Sequence, residues 1–214
     1  MVGAILTQNT AWTNVEMAIA NLIENRALDP GKILDSRPTS LGKWLRPSGY
    51  FNIKARRLRN FCQWYLDNGG YAVLTKQDTV TLRNGLLSVN GIGPETADDI
   101  LLYAFERPVF VIDAYTRRIF SRLGLIETDS SYESLRSWFE TTLNRSVSRA
   151  CQAHRRDQQR LYVYNELHAL IVIHAKDVCR PRPLCQACSL RRHCDYYQSG
   201  DMSAVTPQPV ISNR

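Results

Sequence analysis

At 214 residues, the chain is long enough to bury one large or two small cores without disulfides or metals to hold it together. Its 22% charged and 44% hydrophobic residues are the balance of a folded globular protein, which excludes collagen-like, low-complexity and disordered chains. Lys and Arg outnumber Asp and Glu by 27 to 20, a formal charge of +7, and that surplus favours a polyanionic partner, nucleic acid first. No window approaches the roughly 18 consecutive apolar residues of a membrane span, and the start MVGAILTQNT lacks the charged region and cleavage site of a signal peptide. A soluble, cytoplasmic protein with no membrane partner is therefore expected. In that reducing compartment the six cysteines read better as metal or cluster ligands than as a disulfide framework.

In chain order, Gly3-Ala4-Ile5-Leu6 is helix material with no cap before it, as though a preceding segment were missing. Apolar residues then recur at helical spacing: Val15, Ala18, Ile19 and Leu22; Leu58, Phe61, Cys62, Tyr65 and Leu66; Ile100, Leu101, Ala104 and Phe105. Turn signals at Asp29-Pro30-Gly31, Arg37-Pro38, Pro47-Ser48-Gly49, Gly69-Gly70 and Gly91-Ile92-Gly93-Pro94 separate these stretches. The chain reads as all-α with short connections. Alternation appears only over Val109–Ile112, which predicts an extended connection rather than a sheet. From Gln198 to Arg214 no periodicity remains, and a flexible tail is expected there.

The stretch Leu86-Leu87-Ser88-Val89-Asn90-Gly91-Ile92-Gly93-Pro94-Glu95-Thr96-Ala97 sets Gly-x-Gly between two helical patterns, with Pro94 and Glu95 in the first turn of the second. This is a helix-hairpin-helix signature. Its glycines allow positive φ and close approach of a phosphate, while the exposed N–H groups at the start of the second helix favour an anion. Gly91, Ile92 and Gly93 would thus grip DNA backbone without reading sequence; the plainer alternative is a helix end followed by a turn. Near the far end, Cys179, Cys185, Cys188 and Cys194 fall within sixteen residues, which predicts a metal centre. A single x2 pair flanked by two x5 spacers suits a [4Fe–4S] cluster better than the paired-knuckle layout of structural zinc. Between these cysteines, Arg180 and Arg182 alternate with Pro181 and Pro183, and rigid prolines presenting arginines suit phosphate contact; a solvated basic face is the alternative. Lys54, Arg56, Arg57 and Arg59, and Arg145, Arg149, Arg155, Arg156 and Arg160, are either further footprint or solvent-facing helix.

With Val111-Ile112-Asp113-Ala114-Tyr115-Thr116-Arg117-Arg118 downstream of the hairpin, nearly the whole chain, from Leu6-Thr7-Gln8-Asn9-Thr10 to the last cysteine, resembles the endonuclease III superfamily of DNA glycosylases. The resemblance implies two all-α domains: residues 1–112 as a six-helix barrel carrying the hairpin (86–97), residues 113–197 as a helical domain ending in a four-cysteine iron–sulfur cluster, and 198–214 as the tail. One first-spacer residue is missing relative to the family, which typically has six. Double-stranded DNA with a damaged base is the implied partner, nucleoid association the implied location, a monovalent cation at the hairpin a further implied ligand, and no obligate protein partner is apparent. The family's invariable carboxylate falls on Asp113, although an Asp there also suits a helix N-cap. Strand-cutting members place a Schiff-base lysine where this chain has Glu95, so the resemblance implies a monofunctional enzyme, unless Glu95 merely favours the helix dipole.

Gly-Ile-Gly-Pro-Glu-Thr-Ala-Asp is similar in particular to the 3-methyladenine glycosylases of the superfamily, which remove alkylated purines. Trp12 would then offer its indole face to a cationic base, or else sit in the core. Gln8 would fill the gap left by a flipped base, or else be a capping or surface residue. Runner-up readings are a thymine or uracil mismatch glycosylase, an endonuclease III-like enzyme with lyase activity, and a DNA-damage-binding protein without turnover.

Overall fold

A computed structural model describes residues 1–150 and 156–200, with side chains up to residue 145 and again from 156. The chain divides into two compact units at Val109/Phe110, three residues before the boundary expected from sequence. Every regular element among the described residues is helical.

The first unit holds six helices of six residues or more: α2 (Trp12–Glu24), α3 (Pro30–Asp35), α4 (Pro38–Leu45), α5 (Phe51–Asp67), α7 (Thr79–Leu87) and α8 (Pro94–Ala104). Two five-residue pieces, α1 (Val2–Leu6) and α6 (Gly70–Leu74), join them. Their beginnings follow local chemistry. Asp29 and Asp78 cap α3 and α7 by accepting first-turn amides, and Pro30, Pro38 and Pro94 occupy first-turn positions where a missing N–H costs nothing. The periodic apolar residues converge on one core that includes Leu22, Leu41, Leu45, Leu58, Leu86 and Leu101, with α5 packed against α1, α3 and α4. Cys62 belongs to this core, 2% exposed, and burial pushes its thiol up to about 12. It is a packing residue. Two of the basic residues read from sequence as DNA footprint or solvent-facing helix are neither. Lys54 is buried and donates from Nζ to Leu6 O (2.9 Å) and Ser48 O (2.6 Å), and Arg59 is tied to Ile33 O and Ser36 O.

The non-helical connection foreseen at Val109–Ile112 is buried throughout, and the second unit begins within it, at Phe110. Phe110 stacks on Phe139 with centroids 4.7 Å apart and meets Tyr164 edge-on. Helices α9 (Ala114–Arg122), α10 (Tyr132–Ala150) and α11 (Arg156–Asp177) pack together. A loop with two 3₁₀ turns, Cys185–Ala187 and Arg191–His193, follows, and α12 (Asp195–Gln198) ends the described chain. Arg155, Cys151, the side chain of Arg149 and most of the expected tail lie outside the described residues.

Candidate active site

In the first unit the hairpin joins α7 to α8. Gly91 has φ +98°, and a Cβ there would run into Arg57 Cγ, so both backbone and space demand glycine. Gly93 differs from expectation: its φ is −93° and nothing lies within 4 Å of the position a Cβ would take. Only Gly91 uses positive φ; Gly93 leaves open space beside the backbone. Gly93 provides no side-chain cap for α8, and Pro94 at its first position has no N–H to satisfy. Ile92 is buried and fixes the turn, and Glu95 is exposed in that first turn.

Gln8 reaches this hairpin. Its Nε2 donates to Gly91 O (3.1 Å) and Thr96 Oγ1 (2.8 Å), and its Oε1 accepts from Arg57. The side chain is thereby held on both ends. Asn9 and Tyr50 are non-glycine residues with φ of 56° and 45°, and Tyr50 is 68% exposed; strain of this kind gathers at functional loops. Lys54 anchors the backbone at Leu6 and Ser48, shortly before each of these strained positions. Trp12 opens α2, is 47% exposed, and donates from Nε1 to Glu16 (2.9 Å). It is not a core residue.

In the second unit Asp113 is the N-cap of α9, with Oδ1 accepting the Thr116 amide at 2.7 Å. The capping role read from sequence is therefore real. Burial pushes the carboxyl up, but His168 and then the Thr116 amide outweigh it, leaving Asp113 below the ordinary carboxylate range. At the other end of the same helix, Arg122 is 3% exposed. It donates to Arg180 O (2.7 Å), Pro181 O (2.9 Å) and Cys179 Sγ (3.3 Å), and lies over the Tyr196 ring. Arg118, one turn earlier, holds Cys179 O and Ala175 O.

Cys179, Cys185, Cys188 and Cys194 line one pocket, close enough that the other three thiols add to burial in pushing Cys185 up. Among the described residues no three His, Cys, Asp or Glu side chains converge as ligands of a single metal ion. Four cysteine thiols lining one pocket are the donor type that a thiolate-bound metal centre requires. Arg180 and Arg182 are exposed beside them.

Sequence reasoning brought the hairpin, Asp113 and the cysteines forward. It named Arg57 and Thr96 without foreseeing that both would hold Gln8, and it missed Arg122 and His168, for which the only available signal was residue type.

A glycine turn that opens a helix in the first unit and a part-buried carboxylate that caps α9 in the second suit a helical enzyme acting on DNA. The model of the HhH-GPD superfamily of base excision DNA repair proteins matches residues 2–160. The chain belongs to that superfamily and is a DNA glycosylase. Among curated relatives, a Methanocaldococcus jannaschii protein assigned only provisionally as a DNA repair glycosylase is 44% identical over 91% of this chain and 83% of its own. An endonuclease III of Sulfolobus acidocaldarius is 29% identical over 92% of this chain and 81% of its own. The Helicobacter pylori 3-methyladenine DNA glycosylase, solved with 1,N6-ethenoadenine, superposes with a TM-score of 0.68 at 31% identity over 82% of each chain. An endonuclease III–DNA complex superposes at 0.71 with 19% identity, covering 93% of this chain and 83% of that one, which supports the fold.

Proposed function

We propose that the protein is a monofunctional glycosylase that removes alkylated purines from double-stranded DNA. The observation that carries the reading is Glu95, an acidic residue in the first turn of α8 where strand-cutting relatives would need an amine to form a Schiff base with the sugar. The likeness to a 3-methyladenine glycosylase solved with an etheno-purine supports the substrate class. So does the half-exposed indole of Trp12, hydrogen-bonded to the Glu16 carboxylate, because an indole face attracts a cationic alkylated base.

The α8 amides hold a phosphate. The damaged base leaves the stack, and Gln8, already fixed by Arg57, Gly91 and Thr96, stands ready to occupy the gap. The N-glycosidic bond breaks and the base leaves with the bonding electron pair. Asp113, ionised, stabilises the oxocarbenium-like sugar. Water then adds to the sugar carbon, and the proton it gives up passes to the departed base, or to solvent where that base was already cationic, leaving an abasic site with the strand intact. Cys179, Cys185, Cys188 and Cys194 would hold a [4Fe–4S] cluster, which when bound braces the loop that presents Arg180 and Arg182.

The test is base release from a panel of duplexes carrying 1,N6-ethenoadenine, methylated purines, G·T and G·U, followed by alkali to reveal abasic sites. Release of purines with alkali-dependent cleavage is expected, together with a steep loss of release, but not of binding, in Asp113→Asn. Release confined to the mismatches would transfer the substrate to thymine or uracil, and cleavage without alkali would refute the monofunctional reading.

A further inference from the structure

The two oxygens of Asp113 face different partners. Oδ1 is committed to the Thr116 amide, while Oδ2 lies 3.6 Å from Nε2 of His168 on α11, an ion-pair distance rather than a hydrogen bond. His168 is 7% exposed, so little water screens the pair. The setting leaves few rivals for the carboxylate. On α9, Arg118 also acts on Asp113, but its guanidinium is held on Cys179 O and Ala175 O over the Tyr115 ring, and Arg117 donates to Ser130 O. On α10, Arg136 pairs with Glu133 and Glu140, Tyr132 Oη accepts the Ile112 amide, and Glu140 accepts the Phe110 amide. On α11, four residues before His168, Tyr164 is kept neutral by burial and by Glu140, with Arg160 and Arg136 acting the other way. Each of these groups has other work, whereas the His168 ring meets the one oxygen of Asp113 that the helix cap does not use.

We propose that His168 is a positioning residue for Asp113, its imidazolium fixing Oδ2 and keeping the carboxylate ionised when bound DNA excludes water and brings phosphate charge near. This rests on the reading of Asp113 as the carboxylate that faces the sugar. Both consequences of DNA binding favour the protonated acid, and a protonated acid cannot stabilise a cationic sugar. A buried cation behind the carboxylate opposes them. The linkage has a definite sign. Removing the cation raises the pKa of Asp113, so the pH below which activity fails moves upward.

Two measurements test this. In nitrogen-15 spectra of the intact protein, the His168 ring, assigned by comparison with His168→Gln, should titrate about one unit lower in Asp113→Asn than in wild type, the scale of one lost opposite charge. In single-turnover release of 1,N6-ethenoadenine, the acid limb of His168→Gln should lie about one unit higher than that of wild type, because glutamine fills the space and can hydrogen-bond but carries no charge. A His168 titration indifferent to Asp113→Asn, or an acid limb that stays put in His168→Gln while Asp113→Asn is inactive, overturns the inference and leaves the glycosylase reading standing. Full base release by Asp113→Asn overturns both. Should His168→Gln fail to fold, the ring is assigned by elimination, from substitutions of the other three of the chain's four histidines, and the titrations of wild type and Asp113→Asn decide the matter.

Discussion

A methyl group added at Gly91 and one added at Gly93 probe different physics. At Gly91, φ is +98° and the new carbon meets Arg57, so Gly91→Ala should lose about 1–3 kcal/mol in urea unfolding. At Gly93 the backbone is extended and the space is open. Gly93→Ala should unfold within about 0.5 kcal/mol of wild type yet bind duplex DNA more weakly, because the methyl stands where a phosphate would approach. Equal effects on both measurements at both sites would remove the distinction. The motif Gly-x-Gly was legible in the sequence, but which glycine serves the fold and which borders open space was not, because that division depends on Arg57, which lies in another helix. Lys54 makes the same point from the other direction. As one basic residue in a basic stretch it looks like footprint, and only the fold reveals Nζ capping two buried carbonyls. Lys54→Met keeps the length but orphans both carbonyls, so a loss of about 1–3 kcal/mol is expected in the same assay.

At the scale of elements, α9 is a nine-residue rod with Asp113 at its start and Arg122 at its end, and the two ends hold different machinery. Arg122 fastens the cysteine loop through three carbonyl oxygens and one sulfur. Partners of metal ligands typically change affinity by about 10–100-fold when removed. Arg122→Met should therefore lose iron to a chelator at least about tenfold faster than wild type, followed by the bleaching of the brown colour expected of the cluster. Protein that is colourless and carries zinc alone would overturn the cofactor reading. The cysteines stood out because metal ligation needs particular residues at short spacings; Asp113 was legible from its own type only as a helix cap, which the structure bears out, and its catalytic reading came with the resemblance to the superfamily. Arg118, Arg122 and His168 carried no such mark. An arginine that staples carbonyl oxygens, or a histidine behind a carboxylate, acts across 57 to 61 and 55 positions of chain, and hydrophobic periodicity records only that its helix has a buried face.

For the whole molecule, the surplus of seven positive charges bears on association more than on folding, and the structure sorts the contributors. Lys54, Arg59, Arg83, Arg107, Arg118 and Arg122 are spent on internal carbonyls or on Asp98. Arg180 and Arg182 are exposed, while the backbone beneath them is held through Arg180 O and Pro181 O. Their side chains therefore sit on a fixed base and lose less entropy on meeting a phosphate than they would on a loose loop. The expected signature is thermodynamic. Removing one arginine that neutralises a phosphate should flatten the slope of log binding constant against log salt by about 0.9, so Arg180→Ala combined with Arg182→Ala should flatten it by about 1.8. Because phosphate contacts carry no base information, binding should weaken equally for damaged and undamaged duplexes, and single-turnover base release at saturating enzyme should keep its wild-type rate. A salt slope unchanged by the double substitution would assign these arginines to solvent, and a slower chemical step at saturation would mean that the loop does more than hold the backbone.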